Sequence, residues 1–393
     1  LGIGGTMAFL DDSEEYRSQR KMLQQYFAKD KVKEYHGIQT REARVLAQNL
    51  LSNPEGALKL FLRFATAVIM DLIYGHRVET DNDPYVEIAE DCSRLLQDVG
   101  PPGGTPVDFF PFLQHLPSWF PGAYYAGLAR KSSWRFKRLL EYPFEQVQKQ
   151  MVQGTSRPSF ITTQLELCQE GLEDNTVHHK TIQYAASVAY LAGAETSSST
   201  LAYFLLAMVL YPDCQTQAQE EIDTVIGRDR LPEFTDRQRL PYLECILQET
   251  FRWNHAVPAG VPRTALKDDT YNGMLIPKGS TVVANTRGIT CDSSIYENAT
   301  VFEPTRFLPA PVGRGEPYTT ATFGFGRRLA FKRIFHECIQ LRLNRKCPGR
   351  YLGEESVWIG IATILAALTI KRARDQDGKE IIPDVVPVAE GIT

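Results

Sequence analysis

Residues 323–355 read FGFGRRLAFKRIFHECIQLRLNRKCPGRYLGEE, and this stretch decides how the chain is interpreted. The glycines of FGFG permit tight backbone turns, and the two arginines that follow stay charged at any physiological pH. The later CPGR places Cys347 directly before a proline and a glycine. A thiolate held by backbone amides in such a turn is a strong ligand for iron. The stretch therefore predicts a cysteine ligand loop with a long segment in its middle.

The bulk composition is that of an enzyme-sized globular protein. The chain has 393 residues, 43% of them hydrophobic, enough to bury one large core or two moderate ones. Its formal net charge is -4 with both signs interleaved, which argues against a nucleic-acid partner because phosphate binding needs a basic face. The seven cysteines lack the dense spacing of a disulfide scaffold, which predicts reduced thiols in a cytosol-facing protein.

Most of the first two thirds of the chain has the apolar periodicity of helices. Apolar residues recur at helical steps in residues 45–73, 124–152 and 174–211. The last of these helices should begin near Asp174 or Thr176 and end before Pro212, because a residue that precedes proline is disfavoured in a helix. Residues 101–122 are rich in proline and glycine, and they predict a loop.

A later segment has the character of strands. Residues 270–285, TYNGMLIPKGSTVVAN, place β-branched residues around two turn signals and predict a small hairpin. The longest apolar runs, residues 201–211 and 357–370, are shorter than the roughly 20 residues that a membrane-spanning helix needs. Both runs predict buried core helices. The economical architecture is one domain that is mainly α with small β-sheets.

The stretch LAGAETSSST, residues 191–200, lies in the middle of the predicted long helix. Its glycine and its hydroxyls, which can bond to carbonyls a turn earlier, should locally bend the helix and open a groove. Glu195 and Thr196 then place an acid beside an alcohol, which suits proton relay to a bound ligand. The alternative is a patch of small residues where another helix packs closely. On this stretch alone the alternative is the favoured interpretation.

A second stretch, ILQETFRW, carries a charged pair on a predicted helix that begins near Pro241. Glu249 and Arg252 are three residues apart and share a helix face, where a surface pair stabilises by only about 0.2–0.5 kcal/mol. The meaning of the pair depends on a third partner. The later sequence FEPTRF offers Arg306 for that role.

Taken together, these motifs resemble the cytochrome P-450 monooxygenases. AGAETS, ETFR, PTRF, FGFGRR and CPGR occur in the family's order and, with one gap excepted, at its spacing, while YRSQRK resembles an early haem-binding helix. Among the family's members, the fungal microsomal ones have the most similar local sequences, above all at VPAGVP, IPKGSTVVAN and CPGRYLGEE. The resemblance implies a cytochrome P-450 fold and a single catalytic domain over residues 1–393.

The resemblance also implies roles for particular residues. Cys347 would be the axial ligand of the iron of haem b (iron protoporphyrin IX), with Phe323 beside it. Glu195 and Thr196 would be the acid and alcohol that deliver protons during oxygen reduction. The residues that match a buried network bracing the ligand loop are Glu249, Arg252 and Arg306. The residues that match positions pairing with the haem propionates are Arg20, Arg263 and Arg328.

The implied reaction inserts one atom of dioxygen into an apolar organic substrate, as in secondary metabolism, and reduces the other atom to water. Electrons would come from NADPH through NADPH-cytochrome P-450 reductase. A basic surface that includes Lys21, Arg327 and Arg350 would receive the acidic reductase. The family's fungal members imply the cytosolic face of the endoplasmic reticulum membrane, with no nucleic-acid partner.

The sequence departs from the family's pattern at several positions. Tyr16 stands where the family usually has Trp, an acceptable exchange because a phenol can also donate a hydrogen bond. Arg263 stands where related fungal sequences often have His, and Arg287 replaces a common Trp without a functional explanation. The chain begins at about the family's third helix and ends within its last substrate-contacting loop. We therefore expect the N-terminal membrane anchor and first strands to be missing from it.

The largest departure is the length of the ligand loop. Between Arg328 and Cys347 lie 18 residues, 329–346, where the family has one, so 17 residues are in excess. Seventeen codons keep the reading frame, and the leading explanation for residues 329–345 is an unspliced intron, with a real insertion as the runner-up. Two alternatives to the enzyme follow: a truncated product that does not hold haem, and a zinc-binding module. The zinc ligands would be His336, Cys338 and Cys347, at wider spacing than structural zinc sites normally have.

Overall fold

The computed structural model describes residues 4–80, 82–99, 105–169, 175–325 and 346–383. The chain divides into two compact units. The first consists of Leu1–Ala202, Tyr351–Leu368 and Pro383–Thr393, and the second of Tyr203–Arg350 and Thr369–Ile382. The expectation of one catalytic domain stays a prediction.

The described residues are mostly helical. The α-helices are α1 (Glu14–Tyr26), α2 (Lys29–Val32), α3 (His36–Ser52), α4 (Ala57–Tyr74), α5 (Pro84–Val99), α6 (Pro106–Phe109), α7 (Tyr124–Val152), α8 (Phe160–Gln169), α9 (Asn175–Leu210), α10 (Pro212–Val225), α11 (Pro241–Trp253), α12 (Thr286–Thr290) and α13 (Arg350–Ala367). Short 3-10 turns occur at Lys33–Tyr35, Pro54–Gly56, Pro111–His115, Phe234–Arg239, Pro304–Phe307 and Ala321–Phe323. This composition confirms the predicted mainly α fold.

The strands are short and form two antiparallel pairs. They are β1 (Arg263–Thr264), β2 (Asp269–Tyr271), β3 (Met274–Ile276) and β4 (Thr281–Val282). The pair β2–β3 is the predicted hairpin, and it turns at Asn272 and Gly273, both of which have positive φ (50° and 77°) as a tight two-residue turn requires. The remaining strand of the predicted segment, β4, pairs with β1 instead.

The core of the first unit is built on helices whose central turns are buried on every side. Helix α4 buries nearly all of its residues from Leu60 to Tyr74 and packs against α3, α5 and α8. Helix α13 is buried from Ser356 to Leu365, which confirms the predicted core helix there. A helix without a polar face is stable only when its neighbours cover it, so these two helices are central to the unit.

Polar side chains fix the position of α13 on α3 within the same unit. The amide of Gln39, which is fully buried, donates to the hydroxyl of Ser356 at 2.8 Å and to the carbonyl of Leu352 at 3.3 Å. The ring of His36 lies 2.8 Å from the carboxylate of Glu355. The start of α13 is therefore held by directional bonds as well as by apolar packing.

Several predicted boundaries are confirmed. Helix α7 spans residues 124–152 as expected, and α9 begins at Asn175 and ends at Leu210, before Pro212. The helical pattern of residues 45–73 is divided between α3 and α4, because Asn53 leaves the helical conformation before Pro54 and its side chain accepts a bond from Gly56 N at 3.1 Å. The prediction of a loop over residues 101–122 was incomplete, since its described part includes α6 and a 3-10 turn.

The second unit contains the strands, α10, α11 and long irregular segments. A small core forms where Cys245 of α11 packs with Tyr296, Ala299 and Phe307. Helix α11 buries Tyr242, Leu243 and most of its following residues. Within the described parts of the chain, no helix is both long and apolar enough to cross a membrane.

Candidate active site

Three charged side chains meet in the interior of the second unit. The guanidinium of Arg252 makes a two-point ion pair with the carboxylate of Glu249, with both N–O distances at 2.7 Å. Arg306 Nε donates to Glu249 Oε1 at 3.0 Å. All three side chains are 0% exposed. The structure thus brings together the predicted network and excludes the alternative of a weak surface pair between Glu249 and Arg252.

Backbone carbonyls satisfy the remaining donors of the two arginines. Arg252 Nη1 donates to the carbonyls of Thr290 (2.9 Å) and Ala299 (2.7 Å), and Arg306 Nη1 donates to that of Glu297 (2.7 Å). Burial lowers the pKa of Arg306, but the nearby carboxylates outweigh burial and hold that pKa above its ordinary value. The network therefore stays charged and fastens the irregular segment 290–306 to α11.

Bonds from α11 also reach the predicted ligand loop. Thr322 Oγ1 donates to the carbonyl of Phe251 at 3.1 Å, and the rings of Phe251 and Phe323 meet edge to face with centroids 5.3 Å apart. The carbonyl of Phe323 then accepts the backbone N–H of Cys347 at 2.8 Å. Gly324 has φ 77°, a conformation that favours glycine. FGFG and CPGR therefore meet through their backbones across the long intervening segment.

Cys347 itself is exposed, and α13 begins three residues later at Arg350. Its thiol is therefore accessible to a ligand while its amide is held in place. The predicted position of Phe323 beside Cys347 is what the structure shows. Its role, like that of the other site residues, stays a prediction.

Glu195 and Thr196 lie on α9, within the first unit. Glu195 is 6% exposed, and its Oε1 has no hydrogen-bond partner among the described residues. Burial raises the pKa of Glu195 more than a hydrogen bond from the Ser93 hydroxyl lowers it. Thr196 Oγ1 donates to the carbonyl of Ala192 at 2.8 Å, which is the predicted bond to the preceding turn. A buried acid with an unused oxygen suits proton transfer to a ligand.

The alternative interpretation of residues 191–200, a patch of small residues where another helix packs closely, applies to Gly193. A Cβ at Gly193 would lie 3.0 Å from Ile69 Cδ1 of α4, a tight contact that shows how closely the two helices pack at this position. Close helix packing at Gly193 and the buried Glu195, whose Oε1 has no hydrogen-bond partner among the described residues, occur on the same turn of α9. The two interpretations therefore describe different faces of one helix.

The predicted propionate-binding arginines have different environments. Arg20 of α1 is buried in the first unit, and its Nη1 donates to the Tyr16 hydroxyl at 3.4 Å. The Tyr16 hydroxyl thus accepts a bond from Arg20, and the donation that we expected from it stays a prediction. Arg263 lies on β1 in the second unit and is partly buried. Arg328 lies outside the described residues, as do Arg327 and the predicted insertion at 329–345.

The zinc alternative is left without structural support. His336 and Cys338 lie outside the described residues. In the parts of the chain that the structure describes, no group of three or more His, Cys, Asp and Glu side chains could hold a metal ion.

Two features of the second unit were missed by sequence reasoning. Glu316 lies 2.7 Å from Arg306 and is held in turn by Arg314, although nothing marks either residue as a motif. A charge count would have indicated such an acid, because one carboxylate cannot neutralise two buried guanidinium groups. Arg287, which had no explanation, donates to Asn254 Oδ1 at 2.9 Å and so connects α12 with the end of α11.

Comparison with known proteins identifies the family of this chain. Residues 2–329 match the family model described as cytochrome P-450, and the match ends where the predicted insertion begins. Cytochrome P-450 monooxygenase 136 of Postia placenta is 35% identical over 372 residues, covering 94% of this chain and 67% of the relative. Cytochrome P-450 monooxygenase claR of Ampulloclitocybe clavipes is 35% identical over 387 residues, covering 98% and 68% respectively.

The described residues form an α-rich fold that contains a buried Glu–Arg–Arg network, as the resemblance to the cytochrome P-450 monooxygenases implied. The match to the family model and the identities with fungal monooxygenases show that the chain belongs to the cytochrome P-450 family. It is therefore an oxidoreductase.

Proposed function

We propose that this chain is a haem b-dependent monooxygenase in which Cys347 is the axial thiolate ligand. The observation that carries the proposal is the braced ligand loop. Cys347 is exposed, its amide is held by Phe323 O at 2.8 Å, and Phe323 packs on the helix that carries the buried network. A ligand held this way does not need to reorganise before it binds iron.

The residues present fit a haem group. An exposed cysteine in a fixed loop supplies a soft anionic ligand for iron. The buried guanidinium of Arg20 suits a propionate, and we assign the same role to Arg263 and Arg328. When bound, haem supplies the iron centre that activates dioxygen. Every other contribution comes from the chain's own side chains and backbone.

Glu195 and Thr196 would supply protons in a site that excludes water. The raised pKa of Glu195, caused by burial, lets this acid hold a proton that an exposed carboxyl would have lost. The hydroxyl of Thr196 can accept a further bond while it donates to Ala192 O. The pair can therefore pass protons to a reacting ligand without opening the interior to solvent.

The electron source and the substrate are further parts of the proposal. Electrons come from NADPH through NADPH-cytochrome P-450 reductase, received on a basic surface that includes Lys21, Arg350 and Arg327. The substrate is apolar. These assignments rest on membership of the family.

We also propose association with the cytosolic face of the endoplasmic reticulum membrane. Exposed aromatic side chains along residues 109–124 support it: Phe109, Phe110, Phe112, Trp119 and Tyr124. The amphipathic rings of Trp and Tyr favour the boundary between headgroups and acyl chains, and the Phe rings add apolar surface beside them. Sedimentation with phosphatidylcholine vesicles should be weakened by Phe112→Ser with Trp119→Ser and not by Val152→Ser, whose side chain is also exposed on α7. Equal sedimentation of all three proteins would remove this support.

The ligand assignment is tested by the spectrum of the reduced carbon monoxide complex. Cys347→Ser should abolish the thiolate-ligated form, because the hydroxyl that replaces the thiol does not ionise. Cys338→Ser is the matched control and should keep that form. The opposite pattern would transfer the ligand role to Cys338, and a wild-type chain without any haem spectrum would favour the alternative of a product that does not hold haem.

A further inference from the structure

The buried network of Glu249, Arg252 and Arg306 does not balance its own charge. One carboxylate faces two guanidinium groups, and all three side chains are fully buried. An arginine cannot lose its proton in a protein, so the excess positive charge must be compensated by another group. An uncompensated charge in the interior is strongly destabilising. The network therefore requires a second acid.

Glu316 supplies that acid. Its Oε2 lies 2.7 Å from Arg306 Nη1, a shorter distance than the 3.0 Å between Arg306 Nε and Glu249. Its side chain is only 9% exposed. Its Oε1 accepts the backbone N–H of Glu297 at 3.1 Å. The Glu303 carboxylate also lies 3.7 Å from Arg306, so with Glu316, Glu303 and Arg314 included, three carboxylates face three guanidinium groups and their charges balance.

Arg314 closes the network into a ring. Its Nε donates to Glu316 Oε1 at 2.8 Å, and its two Nη atoms donate to the carboxylate of Glu303 at 2.9 and 2.6 Å. The backbone N–H of Glu303 donates in turn to Glu249 Oε1 at 2.8 Å. The ring thus runs from Glu249 through Arg306, Glu316, Arg314 and Glu303 back to Glu249. Networks closed in this way hold their members more firmly than isolated pairs do.

The position of Glu316 in the chain connects this ring to the ligand loop. The N–H of Glu316 donates to Arg306 O at 2.9 Å, which fixes the backbone six residues before Thr322. Thr322 and Phe323 then contact α11, and Phe323 O accepts the amide of Cys347. A loss of charge at Glu316 is therefore transmitted to the backbone bond that holds Cys347.

We infer that Glu316 is a positioning residue, the fourth member of the buried network, which holds Phe323 O against the amide of Cys347. The functional meaning of this role rests on the proposed function of Cys347 as a haem ligand. Glu316 itself touches neither substrate nor ligand. Arg314 supports it by keeping its carboxylate oriented toward Arg306.

The test compares Glu316→Gln with Glu297→Gln in the full chain. The glutamine at 316 keeps the shape and removes the charge, while Glu297 is the matched control because its side chain is 67% exposed and lies 3.8 Å from Arg314. Hydrogen exchange of a short peptide that contains Cys347, followed by mass spectrometry, reports the bond to Phe323 without requiring haem. We expect exchange to be at least about tenfold faster in E316Q and unchanged in E297Q, because a tenfold change corresponds to a modest loss of local stability.

A spectroscopic measurement on the same samples distinguishes this inference from the proposed function. In E316Q the thiolate-ligated fraction of the reduced carbon monoxide complex should fall at least twofold, and E316D should restore part of it. If wild-type protein forms no thiolate-ligated complex, the haem proposal fails, while the exchange comparison still decides the role of Glu316. If E316Q does not fold, Arg314→Gln replaces it, with an expected acceleration of about threefold. Unchanged exchange at Cys347 in the folded variant overturns the inference.

Discussion

At the scale of single residues, burial decides which titratable groups have unusual chemistry. Glu195 is an acid whose pKa burial raises, and His255 is a base whose pKa burial lowers. Both side chains have a ring or carboxyl atom without a hydrogen-bond partner among the described residues. They differ in their surroundings, because positive charges on Arg252 and Arg287 face His255. Each residue therefore leads to a different prediction.

Thr196→Ala should separate haem binding from proton delivery. Among the described residues, the Thr196 hydroxyl donates to Ala192 O on its own helix, so its loss should leave packing nearly intact. Because a positioned proton donor contributes about 100-fold or more to a rate, we expect product formed per NADPH to fall about tenfold and peroxide release to rise. Peroxide and NADPH are measured in the same turnover assay.

Thr200→Ala is the control for that substitution. Its hydroxyl makes the same kind of bond one turn later, to Thr196 O at 2.7 Å. Product formed per NADPH should stay near the wild-type value in this variant. Equal uncoupling in both variants would show that the bonds to the helix backbone, and not proton delivery, carry the effect.

His255 should make the protein less stable in acid. Burial, followed by the charges of Arg252 and Arg287, lowers its pKa to about 4, from an ordinary value of 6.5. The unfolded chain therefore binds a proton at higher pH than the native protein does. The stabilising contribution is present above pH ~6.5 and is lost as pH falls toward ~4, by about 2 kcal/mol between pH 7 and pH 5.

Urea unfolding at pH 7 and pH 5 measures this loss. His255→Asn removes the titrating group, so the variant should lose about 2 kcal/mol less than the wild type over that interval. The comparison between the two proteins cancels the titration of the groups that they share. An identical pH dependence of the wild type and the variant would mean that His255 binds its proton equally well in the folded and the unfolded chain.

At the scale of elements, the ligand loop keeps a backbone hydrogen bond between two residues that a long segment separates. The Cys347 amide bonds to Phe323 O although the residues between them include the predicted insertion at 329–345. Loop closure entropy rises by only about 0.6 kcal/mol for each doubling of length, so added length alone does not prevent this bond. In the family, a single residue links the positions of Arg328 and Cys347 and so fixes the position of the cysteine ligand. A displacement of that ligand by about 1 Å is a serious loss of preorganisation.

Deleting residues 329–345, which leaves GRRKCPG, should therefore raise haem occupancy and turnover with the reductase. The shortened loop restores the family's spacing between Arg328 and Cys347. Haem per protein is measured from the pyridine complex, and turnover from product formed with NADPH and reductase. Lower values of both in the shortened protein would show that the segment is a functional insertion.

At the scale of the whole molecule, the stability of the second unit depends on its buried charges. Arg252 joins α11 to the carbonyls of Thr290 and Ala299, far along the chain, so its loss affects the entire unit. We expect Arg252→Ala to lower the free energy of unfolding by about 3–5 kcal/mol, since it leaves Glu249 buried with one partner fewer. Soluble yield and haem content should fall together.

Arg228→Ala provides the matched comparison. Arg228 is also paired with an acid, Asp223 at 2.5 Å, but its side chain is largely exposed. Exposed pairs stabilise by about 0–1 kcal/mol, so this variant should unfold nearly as the wild type does. A small loss in Arg252→Ala as well would contradict the buried role of the network.

Local sequence signals were sufficient for much of the fold. Proline at 212 fixed the end of α9, and the Asn272–Gly273 pair fixed the turn of the hairpin, because each restricts the backbone whatever surrounds it. The order and spacing of the motifs were also sufficient to indicate the family. The same local signals missed the helical turns within residues 105–122, where proline and glycine suggested only a loop.

The tertiary structure alone decided the properties that depend on distant neighbours. In the sequence, Glu249 and Arg252 have the spacing of an ordinary surface pair. They are buried because residues 290–306 fold against them. Glu316 carries no motif, and its role exists because folding places it against Arg306. Backbone restrictions act within a few residues, so the local sequence predicts them. Desolvation and charge compensation arise only when segments remote in the chain pack together and exclude water.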